Sequence, residues 1–220
     1  MIAFVPLVVA PALAPATAPA PAPAPAPVLA PAPALAAGDR YDEPVPRFGR
    51  PIVHGLVLLT SMRAVEAYLW PNPFAETDLS VIGRHYADAY RLPPKFDPDR
   101  RFFEWDGDHW FINVVGHGLL GSELYLRGRT CGFGWGGALA WAASGSAIWE
   151  YGFEASGVRP SALDLVWTPL AGLGLGELRF QVLRASSGIR DRTARGIVRA
   201  VFDPFGEIDH ALSGDACGRR

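Results

Sequence analysis

Residues 113–177 read NVVGHGLLGSELYLRGRT (113–130), CGFGWGGALAWAASGSAIWEYGFEASGVRP (131–160) and SALDLVWTPLAGLGLGE (161–177). Three apolar segments rich in Gly, Ala and Trp stand here, separated by short polar breaks. Their lengths and turn residues predict three helices: B over about 109–127, C over about 130–154, and D from 161 to about 183. Gly157 and Pro160 turn the chain between C and D, Ser161 caps D, and Pro169 predicts a kink within it. Connections this short make the three helices antiparallel neighbours, so the fold is all-α and bundle-like.

Each segment also carries polar groups that an apolar helix does not need. Asn113 and His117 are an i,i+4 pair and share a face, as do Glu150 and Glu154, and Asp164 and Thr168. Antiparallel folding brings the start of B, the end of C and the start of D to one end of the bundle. Glu150 and Asp164 then lie at similar depth, with His117 somewhat deeper. Glu123, Glu177 and the arginines 127 and 129 gather at the opposite end. Ionisable groups in so apolar a setting are costly unless paired. That marks His117, Glu150 and Asp164 as candidate catalytic residues, with Asn113, Glu154, Ser161, Thr168 and Glu177 as further polar members.

One imidazole near several carboxyls has three physical readings. It can be a structural network fixing helix register, an acid–base pair that positions a water, or a divalent-cation site using His117 with Glu150, Glu154 or Asp164. The structural network is the leading expectation, and no residue is assigned to a cofactor or metal.

Working outward, 52–70 predicts one more apolar helix, A, closed by Pro71-Asn72-Pro73. Residues 74–103 read as loop with a short amphipathic piece near 79–90. The acidic lead-in 104–108 supplies N-cap residues for B. A short helix is expected over 193–202, and a polar tail after Asp203-Pro204. Glu66 with Arg63 reads as an ion pair on helix A, and His54 and His85 as surface or packing residues. Gly116 and Gly121 on B are expected to face the small residues of C.

The first 37 residues are different. Residues 10–37 are almost wholly Ala and Pro, which forbids helix and sheet and predicts a disordered, extended tether. Residues 1–14 resemble the apolar part of a secretory signal, with a small-residue cleavage pattern at 34–36 but no basic lead. Cys131 and Cys217 stand in no motif and are expected as one buried thiol and one tail thiol, although an oxidising compartment would let them pair. A net charge of −2 points to no nucleic-acid partner. Phosphate-loop, Gly-x-Ser-x-Gly, His-Glu-x-x-His and Cys-x-x-Cys patterns are absent.

A span needs about 20 apolar residues. Only C meets that length without a charge, and the seven Trp, all within 70–167, suit interfacial anchoring. Basic residues between B and C and after D would share one side of a membrane. Together these predict a membrane-associated bundle with transmembrane character.

Three motif groups resemble a known family. They are Asn113-x-x-Gly116-His117-x-x-x-Gly121-x-x-x-Tyr125, then Trp149-Glu150-Tyr151-x-x-Glu154, then Ser161-x-x-Asp164-Leu165-x-x-Thr168-x-x-x-Gly172 with Leu175-Gly176-Glu177. With Arg199, Asp203-Pro204 and Gly214, they resemble the bacterial family known as domain of unknown function 3943, over about 105–214. The family often has His-Pro where this chain has His117-Gly118. A looser similarity to VanZ-like membrane proteins involves a His on one helix, a Glu ending the next and Ser-x-x-Asp opening a third. The resemblance implies a Gram-negative envelope protein and brings no established reaction.

The resulting expectation has three parts: a signal-like segment and tether (1–37), a connector with one apolar helix (38–104), and a helical domain (105–214). Its function is that of an envelope or integral membrane protein with a polar cluster that is structural or binds a lipid headgroup or other small ligand. The alternative is an acid–base or metal-assisted hydrolase or transferase acting on a lipid or envelope precursor. Expected partners are membrane lipids and other envelope proteins.

Overall fold

The helix expected over 52–70 forms as α1 (Gly49–Leu69), and the amphipathic piece as α2 (Leu79–Arg91), N-capped by Asp78. The computed structural model describes residues 47–213 and residue 217. The signal-like segment, the Ala/Pro tether and Gly214 lie outside the described residues. Among the described residues there is no β-strand, only an isolated bridge between Lys95 and Ser161.

Each of the three rods expected as B, C and D contains one widened turn. B is a π turn (Ile112–Gly116) running into α3 (His117–Thr130). C is α4 (Trp135–Ile148), a π turn (Trp149–Phe153) and a 3-10 turn (Glu154–Ser156). D is α5 (Ala162–Ala171), a π turn (Gly172–Gly176) and α6 (Glu177–Ser186). The turn in D follows Pro169, whose missing N–H already weakens the ladder there. Two further helices close the chain, α7 (Arg192–Phe202) and α8 (Pro204–Ser213).

α8 replaces the start of the expected polar tail. Asp203 accepts from the Gly206 N–H at 2.9 Å and Pro204 follows it, an N-cap with Pro in the first helical position. Cys131 and Cys217 form a disulfide, which corrects the expectation of two separate thiols. The helices α7 and α8 carry the chain back to the end of α3, and spacing along the sequence could not show that return.

Small residues set the helix crossings. Gly128 lies against Ala138 and Gly145 against Leu124, an antiparallel match of α3 with α4. Gly121 meets Thr168, and Gly176 meets Tyr125, so α3 and rod D run parallel in direct contact. Gly121 therefore faces D, not C as expected. A Cβ there would stand 1.8 Å from the Thr168 carbonyl oxygen, so only glycine permits this approach. Leu59 of α1 joins Leu120, Leu124, Tyr125, Ala142 and Trp149 in the main core. Each fully buried side chain of that size stabilises by about 1.5–3 kcal/mol.

The charge-free run expected as a continuous helix divides at Trp149. Among the described residues, α1 is the one helix long and apolar enough to cross a membrane. Its outer face is open: Ile52, Val53, Leu56 and Val57 are all exposed.

Candidate functional site

The widened turns place the candidate residues. A π turn adds a residue to the ring closed by each backbone bond and re-aims its side chains, and such turns recur at functional sites. Asn113 lies in the first and Glu150 in the second, while His117 and Glu154 follow directly after them. The carbonyls that the turns release find side-chain donors. Trp167 Nε1 donates to Val114 O at 3.2 Å, Tyr86 to Gly152 O at 2.6 Å, and Tyr90 to Tyr151 O at 3.1 Å. His85 Nδ1 lies 2.8 Å from Ser156 O, so it anchors this region rather than standing at a surface.

Asp106 is the hub of the cluster. Its carboxylate accepts from Ser161 Oγ at 2.6 Å, Asn113 Nδ2 at 2.8 Å and the Asp108 N–H at 3.0 Å. Ser161 Oγ also accepts from the Asp164 N–H at 3.1 Å, and the Ser161 N–H donates to Glu150 Oε2 at 2.7 Å. His117 Nδ1 is 3.2 Å from Thr168 Oγ1, and its Nε2 is 3.6 Å from Asp164 Oδ2. Ser146 Oγ donates to the Asp164 carbonyl at 3.0 Å, joining α4 to α5. Glu154 hydrogen-bonds Glu66 of α1, which requires a shared proton. Glu66 also pairs with Arg63 at 3.3 Å, as expected.

Two features describe the charge balance and the open acceptors of this cluster. Among the described residues, no Lys or Arg is hydrogen-bonded or ion-paired to Asp106, Glu150, Glu154 or Asp164. Three buried acceptors, Asn113 Oδ1, Glu150 Oε1 and Asp164 Oδ1, also have no hydrogen-bond partner. Leaving one such group unsatisfied costs about 1–3 kcal/mol. The cluster reaches a cavity of about 340 Å³ at Glu154, whose walls include Glu66, Asp108, Trp70, Phe74 and His109. His117, Glu150 and Glu154 each offer a possible metal-ligand atom, and those atoms lie within 4.8 Å of one another.

Burial governs the titration of these groups. It pushes Asp164 up to about 9, with the charge of Asp106 adding to the effect. Burial likewise raises Glu150 well above the carboxylate range, helped by Asp164, and raises Glu154, helped by Glu150. Burial would raise Asp106 too, but hydrogen bonds from Ser161, the Asp108 N–H, Asn113 and the Asp164 carboxyl outweigh that and hold it below its ordinary value. Burial drives His117 down to about 4 against the pull of Asp106, so the imidazole is neutral at pH 7.

A pH dependence follows with a definite sign. The raised carboxyls keep protons that the unfolded chain has lost. Their stabilising contribution is complete below about pH 4 and declines as pH rises towards 9. The depressed His117 acts oppositely, its contribution being complete above pH 6.5 and lost as pH falls through 4. Between pH 6.5 and 9 the carboxyls act alone. The unfolding free energy should fall across that window by about 1.4 kcal/mol per pH unit for each retained proton, read as a falling melting temperature in chelator. Asp164→Asn should flatten the slope. A wild-type melting temperature that rises or stays level there would contradict the assignment.

At the opposite end of the bundle each acid meets a cation. Arg127 bonds Glu123 and Asp203, each at 2.7 Å, and Arg179 reaches the second Glu123 oxygen at 2.8 Å. His54 Nε2 lies 3.2 Å from Glu123, so it has a partner that the sequence did not reveal. Glu177 binds Arg129 at 2.8 Å and accepts from the Tyr125 hydroxyl at 2.8 Å. It belongs to this end and not with His117.

The structure thus brings Asn113, His117, Glu150, Glu154, Ser161, Asp164 and Thr168 together and sets Glu177 apart. Sequence reasoning missed Asp106 and Asp108, taken only as part of a capping run, and the contact from Glu66. The loop over 92–106 delivers Asp106 because Lys95 bridges to the strand-like entry of α5, with Lys95 N–H to Pro160 O at 2.7 Å. An acidic pair flanking Gly107, between Trp105 and Trp110, was the available signal.

Residues 102–205 match the family model described as a domain of unknown function (DUF3943), which agrees with the resemblance carried by the three motif groups. The VanZ-like similarity draws no support from that match. No curated protein and no solved structure matches the chain.

Proposed function

We propose that this protein is a membrane-associated component of the bacterial cell envelope, and that its buried acid–imidazole centre binds a small polar ligand reached through the cavity at Glu154. The observation that carries the reading is the set of three buried acceptors without partners, in a cluster that meets the cavity at Glu154. A ligand rich in donors or positive charge would satisfy them. The exposed apolar face of α1 supports a lipid neighbour, since contiguous apolar surface of this kind is rare on soluble monomers. The Cys131–Cys217 disulfide supports an oxidising compartment.

Placement of Asp164 beside Nε2 and of Thr168 beside Nδ1 of His117 favours a second reading, an acid–base enzyme. A neutral imidazole next to a protonated carboxyl can exchange a proton with a substrate hydroxyl or water. Its substrate would be a lipid or envelope precursor.

Glu154→Gln tests the binding centre. It keeps side-chain volume at the cavity wall while changing the proton inventory. The variant should melt within a few degrees of wild type yet fail to complement the envelope phenotype of a deletion strain. Complementation at wild-type level would defeat the proposal. Full release of the protein from membranes by carbonate washing would remove its membrane part.

A further inference from the structure

We propose that His117, Glu150 and Glu154 bind one divalent transition-metal cation, with Asp164 as an additional oxygen ligand. The inference rests on the reading of this cluster as a binding centre, and it names the occupant.

Four observations meet at the same place. First, the three potential ligand atoms already lie within 4.8 Å of one another, on two rods held by packing rather than by a flexible loop. Ligand atoms around an ion bound at about 2.1 Å in tetrahedral geometry are about 3.4 Å apart. The triad therefore needs to draw in by at most about 1.4 Å. Second, Glu150 is fully buried. Its Oε2 is taken by the Ser161 N–H, and its Oε1 has no partner. A carboxylate held by one oxygen and open at the other is the arrangement found in ligating acids with an outer-shell donor.

Third, the tautomer of His117 that donates Nδ1–H to Thr168 Oγ1 presents the lone pair of Nε2 to Asp164. Metal-ligating histidines are oriented in this way by a partner on the second nitrogen. Fourth, Asp164 Oδ1 is buried and without a partner in the same neighbourhood.

One ring nitrogen with carboxylate oxygens selects the class of ion. This donor set suits zinc, manganese or ferrous iron and disfavours magnesium, which keeps its waters and takes oxygen ligands. The ion would displace the protons that the carboxyls otherwise retain. The carboxylates so formed, with no Lys or Arg ion-paired to them among the described residues, carry the charge that a dication would offset.

The full-length protein, purified in chelator and dialysed, should take up about one equivalent of zinc by elemental analysis. It should also melt higher with zinc than with magnesium. With cobalt it should develop visible bands of a tetrahedral or five-coordinate nitrogen–oxygen site. Glu150→Gln and His117→Asn should each weaken zinc binding at least 10-fold. Asp97→Asn, an exposed carboxylate elsewhere, should leave it unchanged. Should the two buried variants not fold, Glu154→Gln carries the same test from the cavity wall, alongside the cobalt spectrum of the wild type. Uptake well below one equivalent, or the same zinc affinity in a folded ligand variant and the wild type, would overturn the proposal. Loss of complementation by Glu154→Gln together with no zinc uptake would leave the binding centre standing and remove the metal from it.

Discussion

Gly121→Ala is expected to be the most damaging single-methyl addition in the chain. The new Cβ would stand 1.8 Å from Thr168 O and 2.7 Å from its carbonyl carbon. A flexible side chain could rotate away, but a helix backbone carbonyl cannot. Rods B and D must separate or slide. Overpacking ordinarily costs about 1–3 kcal/mol, and an obstacle made of backbone places this change at or above the upper end. Gly172 and Gly176 seat the same interface against Gly121 and Tyr125, so no neighbouring slack absorbs the shift. The separation would also draw His117 away from Thr168 and Asp164, linking a packing defect to the polar centre.

Gly136→Ala is the control. Nothing lies within 4 Å of its added Cβ, and Ala is favoured over Gly in a helix by about 1 kcal/mol. Chemical denaturation of both variants checks the contrast. Equal stability of Gly121→Ala and wild type would mean that the two rods do not cross where described.

The second large effect is expected at Asp203. Its carboxylate accepts from the buried Arg127 at 2.7 Å and caps α8 through Gly206. Asp203→Ala leaves Arg127 facing Glu123 in a site where both side chains are almost wholly buried. Breaking a buried pair from one side typically costs about 3–5 kcal/mol, and the lost cap adds about 1 kcal/mol. At about 2–4 °C per kcal/mol for a chain of this size, the melting temperature should drop by roughly 10 °C or more. Arg100→Ala offers the comparison. Its pair with Asp97 is half exposed on both sides and should contribute under about 1 kcal/mol. A small loss at Asp203, comparable with that at Arg100, would show that the buried network is not what joins the C-terminal helices to α3.

The two ends of the bundle differ in how their charges are satisfied. At the Arg127 end each acid meets a guanidinium, and burial of Glu123 is outweighed by Arg127, His54 and Arg179, so its carboxyl is held far below the ordinary value. At the His117 end the acids meet one another, and burial raises three of them. The first pattern stabilises a fold. The second is the pattern on which the proposed binding centre rests.

The sequence by itself determined the helical class, the approximate spans of α1 to α7, and the gathering of Asn113, His117, Glu150, Glu154 and Asp164 at one end. It could do so because helical period, breakers and short connections are local properties, and antiparallel rods follow from them. It also placed Glu123 and the loop arginines at the other end for the same reason. Tertiary structure alone decided the three π turns, the hub role of Asp106, the contact from Glu66, the face to which Gly121 turns and the Cys131–Cys217 bond. Each of these depends on groups from distant segments competing for one backbone carbonyl, one carboxylate or one gap between helices. Such a competition is settled by the packing of the whole chain, not by its neighbours in sequence.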